Sequence, residues 1–124
     1  MSDEPQNYRL RITERAARDI AQATVHFMDT AGDHIAEQWQ EGLYAAFATL
    51  VSQPHRYALI PEAVFRQETR QLLFRRTNHS VAYRLLYIII EVDDGPTVVL
   101  IHVRHASARP LSRAEARTIE SHNI

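Results

Sequence analysis

The sequence predicts an α+β fold of order β-α-α-β-β-β: a four-stranded, mostly antiparallel sheet packed against an antiparallel helical hairpin, with a short C-terminal helix. Three observations carry this reading. Residues 14–52 hold two apolar stretches at helical spacing, interrupted once by Gly32. Residues 70–105 hold three runs rich in β-branched, aliphatic and aromatic side chains. Asp93-Asp94-Gly95-Pro96 divides the last two runs as a turn and makes them a hairpin. At 124 residues the chain can bury a core without covalent staples, and a single domain over 1–124 is expected, its tail 107–124 mobile.

Each element has its own signal. Tyr8–Ile12 alternates as a short first strand, and Thr13 is placed to cap a helix. From Glu14 to Thr30, Ala16, Ile20, Ala23, Phe27 and Met28 recur on one side of that helix. Gly32 supplies a left-handed stop and Asp33 an N-cap for the next helix, His34–Ser52, with Ile35, Trp39, Leu43, Ala46, Phe47 and Leu50 on one stripe. Gln53–Glu68, with Pro54 and Pro61 and little periodicity, reads as a loop with one helical turn at most. Strands are expected at Arg70–Arg75, His79–Val92 and Thr97–His105. Ser112 and Glu115 have the spacing of a capping box and open the last helix.

Composition narrows the chemistry. The chain has no cysteine, which excludes disulfides and thiolate metal sites. The start MSDEPQNY is polar and acidic, unlike a secretory signal, and no apolar run approaches the roughly 18 residues of a membrane helix, so a cytoplasmic protein is expected. The net charge of −1 conceals an asymmetry: five arginines against nine acids up to residue 65, then nine arginines against five acids from 66 to 117. All 14 basic residues are arginine, so any contact with an anion falls to guanidinium groups and histidine.

The run VLIHVRHASARP (99–110) leaves its apolar pattern through Arg104, His105 and Arg109, and VAYRLLYIII (81–90) carries one charge, Arg84. If the turn sets Val92 opposite Thr97, partners sum to 189 and Arg84 lies beside His105 on one face. That face would also carry Leu86, Ile88, Ile90, Val99, Ile101 and Val103, with His102 and Arg104 on the other. His102 and His105 then diverge, so no metal and no cofactor is expected. Structural roles compete with functional ones throughout. Arg84 would pair with Glu91, Glu68 or a helix carboxylate, and His105 would bond a backbone carbonyl at the strand end. Trp39, Phe27 and Phe47 read as core. Arg75 and Arg76, and the series Arg109, Arg113, Arg117, read as solvated.

The ordered marks resemble one family. They are the strand ending near Thr13, Ala17-Arg18-Asp19-Ile20, Ala36 with Trp39 and Leu43, Leu50 before Pro54, Arg70 with Leu72, Tyr83-Arg84 with Tyr87, and V-R-H-A-x-A-R over 103–109. Over residues 8–110 this resembles the RelE/ParE toxin superfamily, whose members are small toxins of bacterial type II toxin-antitoxin modules. The resemblance implies a cognate antitoxin protein encoded next door, contact with operator DNA only through that antitoxin, and growth arrest. Ribonuclease members cleave messenger RNA on the ribosome. For that chemistry Arg84 would be the cation on the phosphorane and His105 the acid or base. The lysine pair of many such enzymes is missing here, and no tyrosine follows His105. The long hairpin and the His-Ala-x-Ala-Arg ending look more like the ParE branch, which poisons DNA gyrase by binding. On that reading Arg70, Arg75, Arg76, Arg104 and Arg109 contact the target or the antitoxin. A member reduced to binding DNA-bound antitoxin as a co-repressor would show no growth arrest.

Overall fold

The structure is a computed structural model that describes residues 8–77, 82–92 and 95–121. Its elements are β1 (Arg9–Ile12), α1 (Glu14–Ala31), α2 (Asp33–Ser52), one 3-10 turn (Pro54–Arg56), β2 (Arg70–Phe74), β3 (Tyr83–Val92), β4 (Gly95–His105) and α3 (Arg113–Ser121). The sheet order is β1-β4-β3-β2, with β1 parallel to β4 and the other neighbours antiparallel. The expected strand start at His79 and the turn residues Asp93 and Asp94 lie outside the described residues. Gly95, at φ 119°, opens β4.

Thr13 ends the first strand and starts the first helix with separate groups. Its N–H donates to Leu100 O at 3.1 Å, the last tie toward β4, while its Oγ1 accepts from Ala16 N–H at 3.1 Å. Gly32, at φ 92°, takes the left-handed position between the helices and donates to Met28 O at 3.2 Å. Asp33 does not cap α2 as expected. It is that helix's first residue, where its charge meets the positive end of the dipole, and Gly32 holds the cap position.

The hairpin packs its stripe onto one face of the sheet. Ala16, Ala23, Trp39, Leu43, Phe47 and Leu50 meet Leu72, Phe74, Tyr83, Leu85, Tyr87, Val98, Leu100 and Val103 in one core, with Ile20, Phe27 and Ala46 at its margin. Met28, placed on the stripe by spacing, is 46% exposed at the end of α1. Trp39 and Phe47 are core as expected, and Phe27, half-buried, packs at the margin with its ring centre 5.4 Å from that of Trp39, which lies as close to Tyr83. α2 comes close to β2 at Gly42, where a Cβ would stand 2.8 Å from Phe74 Cζ.

The opposite face of the sheet is covered as well. Leu86, Ile88, Val99 and Ile101 pack with Leu111 and with Ile119 of α3, and Ile60, Val64 and Phe65 of the 57–69 loop close over them. The capping box forms: Ser112 Oγ accepts from Glu115 N–H and Glu115 Oε1 accepts from Ser112 N–H, both at 3.1 Å. Loop and helix are laced together, because Arg117 donates to Val64 O at 2.8 Å and Arg66 N–H donates to Glu120 at 3.0 Å.

The β3–β4 register differs from the expected one. Ile90 stands opposite Thr97 and Ile88 opposite Val99, so partners sum to 187 before an irregularity at Leu86/Tyr87. There Ile101 and His102 together oppose Leu86, and beyond that bulge Arg84 pairs with Arg104 and Tyr83 with His105. The turn is two residues tighter than the expectation and the bulge returns one of them. Arg84 and His105 therefore lie on opposite faces, and Val103 belongs to the hairpin core rather than to the face of Val99 and Ile101.

Candidate functional site

Arg84, on the sheet face away from the hairpin, is buried and fully engaged. Its Nη1 and Nη2 donate to Glu62 Oε2 and Oε1 at 2.8 and 2.7 Å, and its Nε donates to Gln71 Oε1 at 2.6 Å. This bidentate fork is the strongest geometry open to a guanidinium and a carboxylate. Glu62 also accepts from Leu111 N–H at 3.0 Å, so one carboxylate joins the loop, β3 and the start of the tail. The Arg84 hydrogen bonds, with help from Leu111, hold the Glu62 carboxyl at about 2, well below its ordinary value. The partner is neither Glu91 nor Glu68, and Gln53–Glu68 has no periodicity that would have singled out Glu62.

His105 turns toward the hairpin, with its ring 5.3 Å from the Tyr83 ring in an edge contact. Its Nδ1 accepts from Ser107 N–H at 3.2 Å and lies 2.5 Å from Ser107 Oγ. It thus accepts a backbone N–H rather than donating to a carbonyl, and it secures the turn that leaves β4. Burial raises the Tyr83 phenol above its ordinary value.

The arginines singled out by sequence form two groups. Arg70 donates to Tyr57 O at 2.6 Å and to His55 O at 3.4 Å, and Arg76 donates to Gln38 Oε1 at 3.3 Å, both near β2. Arg75, exposed, follows the last residue of β2. Around the tail, Arg104 donates to Arg109 O at 3.0 Å and lies 3.7 Å from Glu115, and Arg109 lies 2.5 Å from the same carboxylate. Glu115 is held at about 2, chiefly by the Ser112 N–H and then by Arg109. Of the tail series, Arg109 and Arg117 are each matched to a carboxylate, Glu115 and Glu120, while Arg113 is exposed as expected.

A second polar cluster pins the bulge. β1 stops at Ile12, so β4 beyond Leu100 has no strand on that side among the described residues, and α1 lies there instead. Asp19 Oδ2 accepts from Val103 N–H at 3.0 Å and lies 3.0 Å from His102 Nδ1, with Arg15 Nε 3.4 Å from the same ring nitrogen. Asp19 fills the place of the absent strand. It belongs to the Ala17–Ile20 motif, but that role could not be read without the bulge.

The geometry defines a small α+β protein whose sheet is covered on both faces, whose Arg70, Arg84, Arg104 and Arg109 are bound to carboxylates or backbone, and which holds Arg84 and His105 apart. Residues 10–110 match the family model of the ParE toxin of the type II toxin-antitoxin system, parDE. The chain belongs to that family. Among solved structures it is similar to the chromosomal ParDE toxin-antitoxin system from P. aeruginosa, at 16% identity and a TM-score of 0.62, over 81% of this chain and 97% of that one. It is also similar to a double mutant of E. coli toxin RelE in the free state, at 20% identity and a TM-score of 0.47, over 94% of this chain and 93% of that one. No curated protein matches. By its family the chain is a ParE-type toxin, and that family carries an antitoxin partner. No helix among the described residues is long and apolar enough to cross a membrane.

Proposed function

We propose that this toxin arrests growth by binding DNA gyrase, not by cleaving messenger RNA. The observation that carries the reading is the separation of Arg84 from His105. In-line attack of a 2′-hydroxyl needs a base and a cation converging on one phosphate. Here the two candidates sit on opposite faces, and Arg84 is already neutralised by Glu62. The absence of lysine leaves no ammonium to replace it. Binding demands no such convergence, and the Arg104–Arg109 tail and the outer side of the hairpin are the surfaces for it. The antitoxin neutralises the toxin by folding an extended, apolar-anchored segment onto it. Purified chain added to a gyrase supercoiling reaction is expected to inhibit it, and the same chain added to translating ribosomes is expected to leave the message intact. Cut message with unaffected supercoiling would reverse the assignment.

A further inference from the structure

The hairpin buries one side against the sheet and leaves apolar side chains open on the other. Gln40 Nε2 donates to Thr24 Oγ1 at 3.4 Å and Phe27 packs on Trp39, a register that sets Tyr44 level with Ala21 and Glu37 level with Met28. Ala21, Val25 and Met28 follow one another along α1 at i, i+4 and i+7, and Glu37, Glu41 and Tyr44 do the same along α2. All six are exposed, so the two ridges flank a furrow on the outer side of the hairpin. Val25, Met28 and Tyr44 are 54%, 46% and 63% exposed, three of the six large apolar side chains left open among the described residues. Apolar area gathered on one face in this way marks an interaction surface.

Charge sets the chemistry of what fits there. Residues 20–52 hold four acids, Asp29, Asp33, Glu37 and Glu41, and no arginine. Glu62, Glu115 and Glu120 are taken up by arginines, whereas Glu37 and Glu41 make no ion pair or hydrogen bond among the described residues. We propose that this face docks on a basic, apolar-anchored helix at the DNA-binding surface of gyrase. The inference rests on the gyrase reading and names where the contact is made. An enzyme that holds DNA presents lysine and arginine to the phosphates, and the acids of α2 compete for those cations. Val25, Met28 and Tyr44 seat against the apolar side of the same helix, and Ala21 and Ala48 keep the furrow low enough for it to approach. A second copy of the chain does not fit, because it brings the same unneutralised acids to the contact.

The test titrates purified gyrase holoenzyme with the full chain, read by calorimetry at low and high salt and by inhibition of supercoiling. Tyr44→Ala, and Glu37→Gln combined with Glu41→Gln, alter only exposed side chains, so the thermal midpoint of the free chain is expected to hold in both variants. Affinity for gyrase should fall at least about tenfold in each. Wild-type binding should weaken as salt rises and yield to a competing DNA duplex, and the double glutamine variant should lose most of that salt dependence. Inhibition unchanged in both variants overturns the docking face and leaves the gyrase reading standing. No inhibition by the wild type overturns both. Variants that inhibit gyrase as the wild type does but fail to bind the antitoxin, or that convert a dimeric chain to a monomer, give the face to those occupants and overturn the proposal.

Discussion

Arg84 and Glu62 face each other through two parallel hydrogen bonds of 2.8 and 2.7 Å, with side chains 9% and 8% exposed. The pair joins β3 to the loop ahead of β2, and through Leu111 N–H it reaches the tail. Removing one partner leaves a buried charge alone, whereas removing both does not. Glu62→Ala is therefore expected to cost about 3–5 kcal/mol in urea unfolding, and Arg84→Met combined with Glu62→Leu much less. Similar losses from the single and double variants would show that the pair is not the clasp described.

The same pair sets an acid dependence. The Glu62 carboxyl is lowered from 4.5 to about 2 in the folded chain, so its contribution is complete above 4.5 and is lost as pH falls toward 2. Unfolding free energy measured across that interval should fall less steeply in Glu62→Gln, which has no carboxyl to protonate at this position. Parallel curves for the two proteins would remove Glu62 as a cause.

Asp19 stands in for a missing strand, and the cost of losing it comes from the orphaned N–H. Asp19→Ala leaves Val103 N–H without an acceptor, a loss of about 1–3 kcal/mol, while Asp19→Asn keeps a carbonyl oxygen there and should lose less. The Val103 amide should exchange faster in the alanine variant than in the asparagine one. Equal exchange in both would mean that the carboxylate does not hold the bulge.

Gly42 is the helix position where an alanine should harm. Gly→Ala in a helix interior normally gains about 0.5–1 kcal/mol. Here the new Cβ would lie 2.8 Å from Phe74 Cζ and 3.0 Å from Cε2, and that ring is packed edge-on to Trp39. Gly42→Ala is expected to lower the thermal midpoint in the wild type but not in a Phe74→Ala background. Coupling of this kind appears only if the two residues touch.

Periodicity and caps made the element order legible in the sequence. Thr13, Gly32, Ser112 and Glu115 mark helix ends by chemistry that needs no tertiary partner, and the stripe from Trp39 to Leu50 names its own buried side. What could not be read depends on distant pairs. The bulge at Ile101 and His102 is held by Asp19, some eighty residues away in sequence, and no local pattern encodes it. A pairing carried from the turn therefore put Arg84 beside His105, and the real register separates them. Glu62 was illegible for a like reason: its loop is aperiodic, and its value lies in meeting Arg84 and Leu111 from distant parts of the chain. The second covered face depends on Leu111 and Ile119, too few apolar residues to announce a packed helix by spacing alone.

The central claim, that growth arrest comes from gyrase rather than message cleavage, is tested most directly by inducing the chain without its antitoxin in cells carrying a DNA-damage reporter. Growth is recorded in the same culture for wild type, Arg84→Lys and His105→Ala. Gyrase poisoning predicts arrest with reporter activation, retained in His105→Ala and in any Arg84→Lys protein that remains folded. Arrest without reporter activation, abolished by His105→Ala, would contradict it and return Arg84 and His105 to a cleavage mechanism.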